Sequence, residues 1–293
     1  MTLPSDIDAA YAEKGVLYVV ATPIGNLADI SDRALKILRS VDFILCEDTR
    51  HSAILLERFA IRQQLLSYFA HNEALRTEQI LPRLLNGESA AVISDAGSPG
   101  ISDPGARIVD ACLNANIRVS PIPGPSAVVS AVSAAGFYEF TKFHFVAFFP
   151  RKSSEKRALF EFHIHQPALL VGYESPQRIL DTLNDLRAVS GDNQRVCLCR
   201  ELTKKFETIK RASVAEMIDF LTDNPPKGEI CLVIEGTISE ESSPNDALPD
   251  EAQKLARLLL QKNLSARDIR DIVADFCNVR PKTVYQFVLD QNA

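Results

Sequence analysis

The sequence predicts an α/β protein: two α/β domains followed by a small helical C-terminal region. Three observations carry that expectation. Over residues 1–140, short apolar runs alternate with helical patterns, which indicates a parallel sheet covered on both faces. Over residues 141–237 the runs become richer in strands, which suggests a smaller domain with a mixed sheet. Over residues 248–293 only helical spacing remains.

The elements follow in order. Val16–Ala21 is a buried strand ending in Thr22-Pro23-Ile24-Gly25-Asn26. Ser31 is a good N-cap for a helix to about Ser40. Strands follow at Phe43–Cys46, Leu65–Phe69, Ala90–Ser94 and Arg118–Ile122, separated by helices at Thr49–Phe59, Arg76–Leu85 and Arg107–Asn114. Ser126–Ala135 is a further helix. The second half opens with a strand at Phe143–Phe149 and a basic turn, Arg151 to Arg157, leading into a helix to about His165. Ala168–Tyr173 is a strand and Pro176–Val189 a helix, followed by extended stretches at Arg195–Arg200, Phe206–Arg211 and Glu229–Glu235. Residues 237–246 read as an acidic, mobile linker. Three short helices close the chain, with Leu255, Leu258 and Leu259, then Ile269, Ile272 and Val273, then Val284, Tyr285 and Val288 turned inward. They resemble a helix-turn-helix unit; a helical lid is the alternative.

A hydrophobic fraction of 46% excludes a disordered chain, which would lack the apolar surface to offset ordering entropy. No run of 18 apolar residues is present, so no transmembrane helix or membrane partner is expected. The N-terminal stretch is acidic where a signal peptide would be basic, and the expected location is the cytoplasm. A net charge of −6 argues against a broad nucleic-acid surface but leaves room for a local basic patch. The six cysteines form no CxxC pair, and most lie in apolar runs, so neither a disulfide framework nor a metal site is expected.

The common catalytic signatures are missing. The chain holds no P-loop, no G-x-G-x-x-G after the first strand, no H-E-x-x-H and no G-x-S-x-G. What stands out is the loop Asp95 to Gly105, eleven residues with three glycines and two prolines directly after a buried strand. A connection in an α/β unit usually needs about 2–6 residues. Glycine lets backbone groups approach a ligand, and proline fixes the loop beforehand. The turns at Thr22-Pro23-Ile24-Gly25 and Pro121 to Ala127 also follow strands. Three such loops would line one crevice outside the strand ends. None contains Lys or Arg, which suits a zwitterionic or nucleoside-bearing ligand better than a polyanion.

The segments VVATPIGNLADIS, ILCEDTRHSAILL, AHNE, ISDAGSPGISDPG, PIPGPSA, YESPQRIL, RELTKKFET and GEICLVIEG resemble, in order and spacing, the tetrapyrrole-methylase superfamily of class III methyltransferases. The resemblance is to the branch acting on small-subunit ribosomal RNA. It implies S-adenosylmethionine as methyl donor, bound in the cleft between two α/β domains, and a homodimer. It also implies 2′-O-methylation of a cytidine in the decoding region of 16S ribosomal RNA, with free RNA or the assembled small subunit as partner. By motif, the donor would lie against Pro23, Asp95, Gly97, Ser98, Pro99, Ile101, Ser126 and Ala127. From the second half it would meet Tyr173, Leu202, Gly228, Glu229 and Ile230.

Methyl transfer from a sulfonium needs in-line placement more than it needs charge. A base for the ribose hydroxyl could add about 10²–10⁴-fold. Two polar runs after first-half strands offer candidates. His71 with Glu73 is the preferred proton-handling pair, and Asp48 the third choice. A helix-start role for His71 and Glu73, and an ion pair between Asp48 and Arg50, stay open as alternatives. Arg50 is a candidate RNA contact. So are Arg151, Lys152, Arg178, Arg200, Lys204 and Lys205, although Arg178 also sits at ion-pair spacing from Glu174. Two rival functions remain: a methyltransferase acting on a tetrapyrrole such as uroporphyrinogen or a precorrin, and a non-catalytic donor-binding protein associated with ribosomes.

Overall fold

In the computed structural model, the described residues are 11–237 and 248–291, except 263, 278 and 280. The acidic linker expected at 237–246 lies, beyond Thr237, outside them. The described residues divide into one compact unit ending at Thr237 and a second unit covering the tail.

The first unit carries two five-stranded sheets. The first sheet is parallel throughout, with β1 (Val16–Val20), β2 (Phe43–Cys46), β3 (Gln64–Ser67), β4 (Ala90–Ile93) and β5 (Arg118–Ile122) in the order β3-β2-β4-β1-β5. Its central strands are buried because helices cover both faces. These are α1 (Asp32–Ser40), α2 (Thr49–Arg58), α3 (Glu73–Leu85) and α4 (Ala106–Asn114). Val20, Ile37, Leu38 and Ile44 form the core on one face, and Leu17, Leu45, Ile80 and Ile108 that on the other. Ser31 caps α1 as expected, its Oγ accepting the Ala34 N–H at 3.1 Å. Helix α3 starts three residues before the expected Arg76, because Asn72 ends the preceding turn by accepting the Phe69 N–H at 2.8 Å.

The second sheet is mixed. It runs β6-β7-β10-β8-β9, from β6 (Phe143–Phe148), β7 (Leu169–Glu174), β8 (Arg195–Arg200), β9 (Thr208–Ser213) and β10 (Ile230–Ile234). Only β6 and β7 pair in parallel. Helices α6 (Ser153–His163) and α7 (Ile179–Ser190) pack on one face. With them lies α8 (Val214–Asp223), a helix that apolar alternation alone does not reveal. Its start is a capping box: Ser213 Oγ accepts the Glu216 N–H, and the Glu216 carboxylate accepts the Ser213 N–H.

The other face of this sheet is covered by α5 (Ala127–Ala135), a helix from the first half of the sequence. Val128, Ala131 and Ala135 pack there against Val171, Cys199 and Val233. The division expected near residue 140 is therefore bridged by α5, and the two sheets share one unit.

A chain of buried charges links the end of β7 to α6 and α7. The Glu174 carboxylate, with its side chain fully buried, accepts from Arg178 Nε at 2.7 Å and Thr182 Oγ1 at 2.7 Å. Lys156 pairs with Asp185 at 2.8 Å, and Asp185 also accepts from Ser153 and Arg157.

The tail unit comprises α9 (Asp250–Gln261), α10 (Ala266–Cys277) and α11 (Pro281–Asp290) around a core of its own. The core faces differ from expectation. Ala252 and Ala256 are buried where Leu258 is exposed, and Ile272 points outward beside buried Ile269 and Val273. Small residues on α9 let the three helices approach closely, so the larger leucines flank the contact.

Candidate active site

Strands β4, β1 and β5 are neighbours, so the loops after them emerge side by side. They are tied together by backbone. Thr22 N donates to Gly97 O at 2.8 Å, and Gly97 N returns the bond to Thr22 O at 3.0 Å. Thr22 Oγ1 donates to Ser94 O at 3.0 Å. Ser98 Oγ reaches the third loop at Pro125 O, 3.2 Å away. Gly97 sits at φ +82°, a left-handed conformation that disfavours side chains. The loops thus form one pre-built wall.

The opposite wall comes from the second sheet. In β6 the register with β7 slips between Phe145 and Phe148, and Ala147 takes φ +58°. This sets Phe148 edge-on to Tyr173, with ring centroids 5.5 Å apart. Leu202 lies between two more left-handed residues, Glu201 at φ +51° and Thr203 at φ +65°. Ser102, on the first wall, is a fourth at φ +67°. Each such residue costs on the order of 1–3 kcal/mol and persists only where its surroundings enforce it. All four adjoin a cavity of about 360 Å³, lined chiefly by apolar side chains and backbone. That is within the range of small-molecule sites. Lys204 holds the rim, donating to Glu201 at 2.9 Å and Glu229 at 3.0 Å.

The electrostatics are acidic on the first wall. Half-buried Asp103 is pushed up to about 6, first by burial and then by Glu47 and Asp95. Glu47 is raised for the same reasons. Asp95 Oδ1 is buried and takes no hydrogen bond among the described residues.

Of the residues expected to meet the donor, Gly97, Ser98, Ile101, Ser126, Ala127, Tyr173, Leu202, Gly228, Glu229 and Ile230 line this cavity. Pro23, Asp95 and Pro99 sit in the loops without lining it. Ile24, Ser102, Asp103, Phe148, Cys199 and Cys231 line it as well, and were not singled out. Asp103 was legible as a carboxylate inside the glycine-rich loop, whereas Phe148 depends on a bulge that alternation hides.

The expected proton-handling groups lie elsewhere. Glu73 accepts the Gly105 N–H at 3.0 Å, fastening the end of the long loop at the start of α4. His71 is exposed and packs edge-on to Phe69. Asp48 caps α2 and grips Arg50 through Nε and Nη2, which holds its carboxyl at about 2. None of the three lines the cavity.

The cations divide. Arg178 is spent on Glu174 and Phe149 O, and Lys204 on two carboxylates. Arg200 is fixed by Lys227 O, Phe206 O and Thr208 Oγ1. Arg50 is exposed beyond its ion pair with Asp48, Lys152 pairs with Glu155 at the surface, and Arg151 and Lys205 are solvent-facing. No Lys or Arg lines the cavity among the described residues. Nor do the described residues include three metal-ligating side chains grouped together.

Comparison with known proteins settles the family. The profile of Tetrapyrrole (Corrin/Porphyrin) Methylases matches residues 16–218. The chain belongs to this family. It is similar to the ribosomal RNA small subunit methyltransferase I of Escherichia coli O157:H7, 42% identical over 95% of this chain and 96% of that protein. The protein of the same name from Synechocystis is 39% identical over 95% of this chain and 99% of its own length. Among solved structures, a uroporphyrin-III-C-methyltransferase from Thermus thermophilus matches 75% of this chain and 94% of its own, with TM-score 0.51 and 21% identity. A cobalt-precorrin-4 methyltransferase of cobalamin biosynthesis matches the same share of this chain and 95% of its own, with TM-score 0.56 and 16% identity. These two structures share the fold of this chain, and the relatives at about 40% identity show that it is a methyltransferase.

Proposed function

We propose that this methylase transfers a methyl group from S-adenosylmethionine to the 2′-oxygen of a cytidine ribose in 16S ribosomal RNA of the small subunit. The observation that carries this reading is a cavity walled by backbone loops and apolar side chains, lined by no cation among the described residues. It occurs in a chain 42% identical to a protein named for small-subunit ribosomal RNA methylation. The choice of an RNA acceptor over a tetrapyrrole rests on that similarity.

The donor fits the residues present. Its amphiphilic body suits apolar walls with backbone polar groups. Gly97, Ser98, Ser126 and Ala127 would hold it on one side, with Tyr173, Leu202 and Ile230 on the other. When bound, it supplies an activated methyl group on a sulfonium. The loops exclude water and fix the approach of the ribose hydroxyl, so most of the rate comes from placement. Asp103 receives the hydroxyl proton. Held near 6, it is largely ionised at neutral pH and more basic than an ordinary aspartate. Glu73 acts by anchoring the loop that carries Asp103.

Two lobes, over 1–140 and 141–237, a tail over 248–293, a homodimer and a cytoplasmic setting belong to the same proposal. Exposed Tyr138 and Phe162 supply apolar surface for a second copy.

Labelled S-adenosylmethionine supplied with free 16S RNA, assembled small subunits or uroporphyrinogen tests the reading. Label on RNA, at a ribose oxygen of cytidine, is expected. Label on the tetrapyrrole alone overturns it, and donor binding with no transfer to any acceptor leaves a binding protein instead.

A further inference from the structure

A second cavity, of about 540 Å³, opens beside the donor site between the end of β8 and the turn after α8. Gly228 belongs to the linings of both cavities, so the two adjoin at that residue. A side chain there would collide with that of Glu201, and φ is +85°. The position therefore stays glycine.

The second cavity has a different chemistry from the first. Phe206 stands 65% exposed at its edge, although a phenylalanine gains by burial. Phe220 forms another side. Both rings carry a cation over the face: Lys205 Nζ lies 5.6 Å from the Phe206 centroid and Lys210 Nζ 4.6 Å from that of Phe220. Lys227 is exposed at the rim. Glu201, the one carboxylate lining the cavity among the described residues, pairs with Lys204. Arg200 lies within the lining, locked by three acceptors, which makes the pocket rigid before anything binds. Asn224 gives its amide N–H to Phe220 O, and its side-chain oxygen has no partner among the described residues.

A flat aromatic face, cations at phosphate height and an amide acceptor are what single-stranded nucleic acid uses for stacking and backbone contact. Position decides which nucleotide. A cavity that adjoins the donor site suits a neighbour of the reacting ribose, not the ribose itself.

We propose that this second cavity receives the base of a nucleotide flanking the one methylated, stacked on Phe206, with its phosphate on Lys205 and Lys227. This rests on the RNA reading given above. The cavity then sets strand register: filling it places the correct 2′-hydroxyl before Asp103.

The test uses the full chain and assembled small subunits. Phe206→Ala is expected to raise KM for the particle roughly tenfold, the scale of one lost base stack, while donor affinity by calorimetry stays unchanged. Phe206→Trp should restore KM, because any flat aromatic serves. Lys205→Ala with Lys227→Ala should raise KM and flatten its dependence on salt. If wild-type protein methylates RNA and Phe206→Ala leaves KM unchanged, or Phe206→Trp fails to restore it, the subsite is overturned and the RNA reading stands. If wild-type protein methylates no RNA, the RNA reading falls and this assignment with it.

Discussion

Thr22 and Gly97 exchange two backbone hydrogen bonds, 2.8 and 3.0 Å long, and so lock the loop after β1 to the loop after β4. The lock depends on Gly97 keeping φ +82°. Gly97→Val is expected to cost about 1–2 kcal/mol of stability and to weaken S-adenosylmethionine binding at least tenfold, with unfolding still cooperative. Urea melts and calorimetry check both. Unchanged donor affinity would remove this loop from the site.

Gly25 makes the same point between the two sheets. A Cβ there would press on the Lys204 side chain, and would lie 2.9 Å from Thr203 Oγ1 and 3.0 Å from Leu202 O. Gly25→Ala should push the Ile24 and Leu202 walls apart. The expected result is a loss of donor affinity of tenfold or more with a small change in Tm.

Asp103 makes the methylase sensitive to pH in two ways. Its carboxyl is raised from an ordinary 3.8 to about 6, so the native state holds that proton more tightly than the unfolded chain. Its contribution to stability is full below about 3.8 and is lost as pH rises through about 6. Asp103→Asn should therefore raise Tm relative to wild type at about pH 7.5 and not at about pH 3.5. Turnover moves the other way. The wild-type rate should fall as pH drops through about 6, and Asp103→Asn should cost about 10²–10⁴-fold in kcat. Thermal melts and initial rates across that range separate the two effects.

Lys156 and Asp185 are both about 95% buried and 2.8 Å apart. Lys156→Met leaves Asp185 with Ser153 and Arg157 as its remaining partners. Breaking a buried pair from one side costs about 3–5 kcal/mol. A loss of that size in denaturant titrations is expected, larger than that from removing exposed Arg50.

The tail has its own core of Ala252, Ala256, Ile269, Val273, Val284 and Val288. Truncation after Thr237 should leave donor affinity unchanged and weaken binding to the small subunit. Equal loss of both in calorimetry and filter binding would give the tail a structural role instead.

The first sheet was legible in the sequence because its strands are buried on both faces and read as unbroken apolar runs, such as FILC and AAVI. The long cavity loop was legible because eleven residues rich in Gly and Pro exceed what a connection needs. Helix α8 went unread although Val214, Met217 and Leu221 form an apolar stripe at helical spacing behind a Ser213–Glu216 capping box, because the segment follows directly on the extended stretch of β9. The second wall was legible through family motifs only in part. Phe148 reaches the cavity by a slip in strand register, a property of pairing between β6 and β7 that neither strand shows alone. The surroundings of His71 and Glu73 were hidden for a similar reason. Glu73 lies 32 residues from Gly105 in sequence, and only the fold reveals that its carboxylate is already committed there.

The helix α5, which springs from the first sheet and covers the second, has a consequence for biosynthesis. Its buried face, Val128, Ala131 and Ala135, has to wait for Val233 of β10 before it is covered. A nascent chain leaving the ribosome cannot complete the cavity until β10 is out, because Ile230 and Cys231 line it together with the loop after β4. Until then the apolar side of this helix stays uncovered, a surface of the kind that chaperones shield during translation.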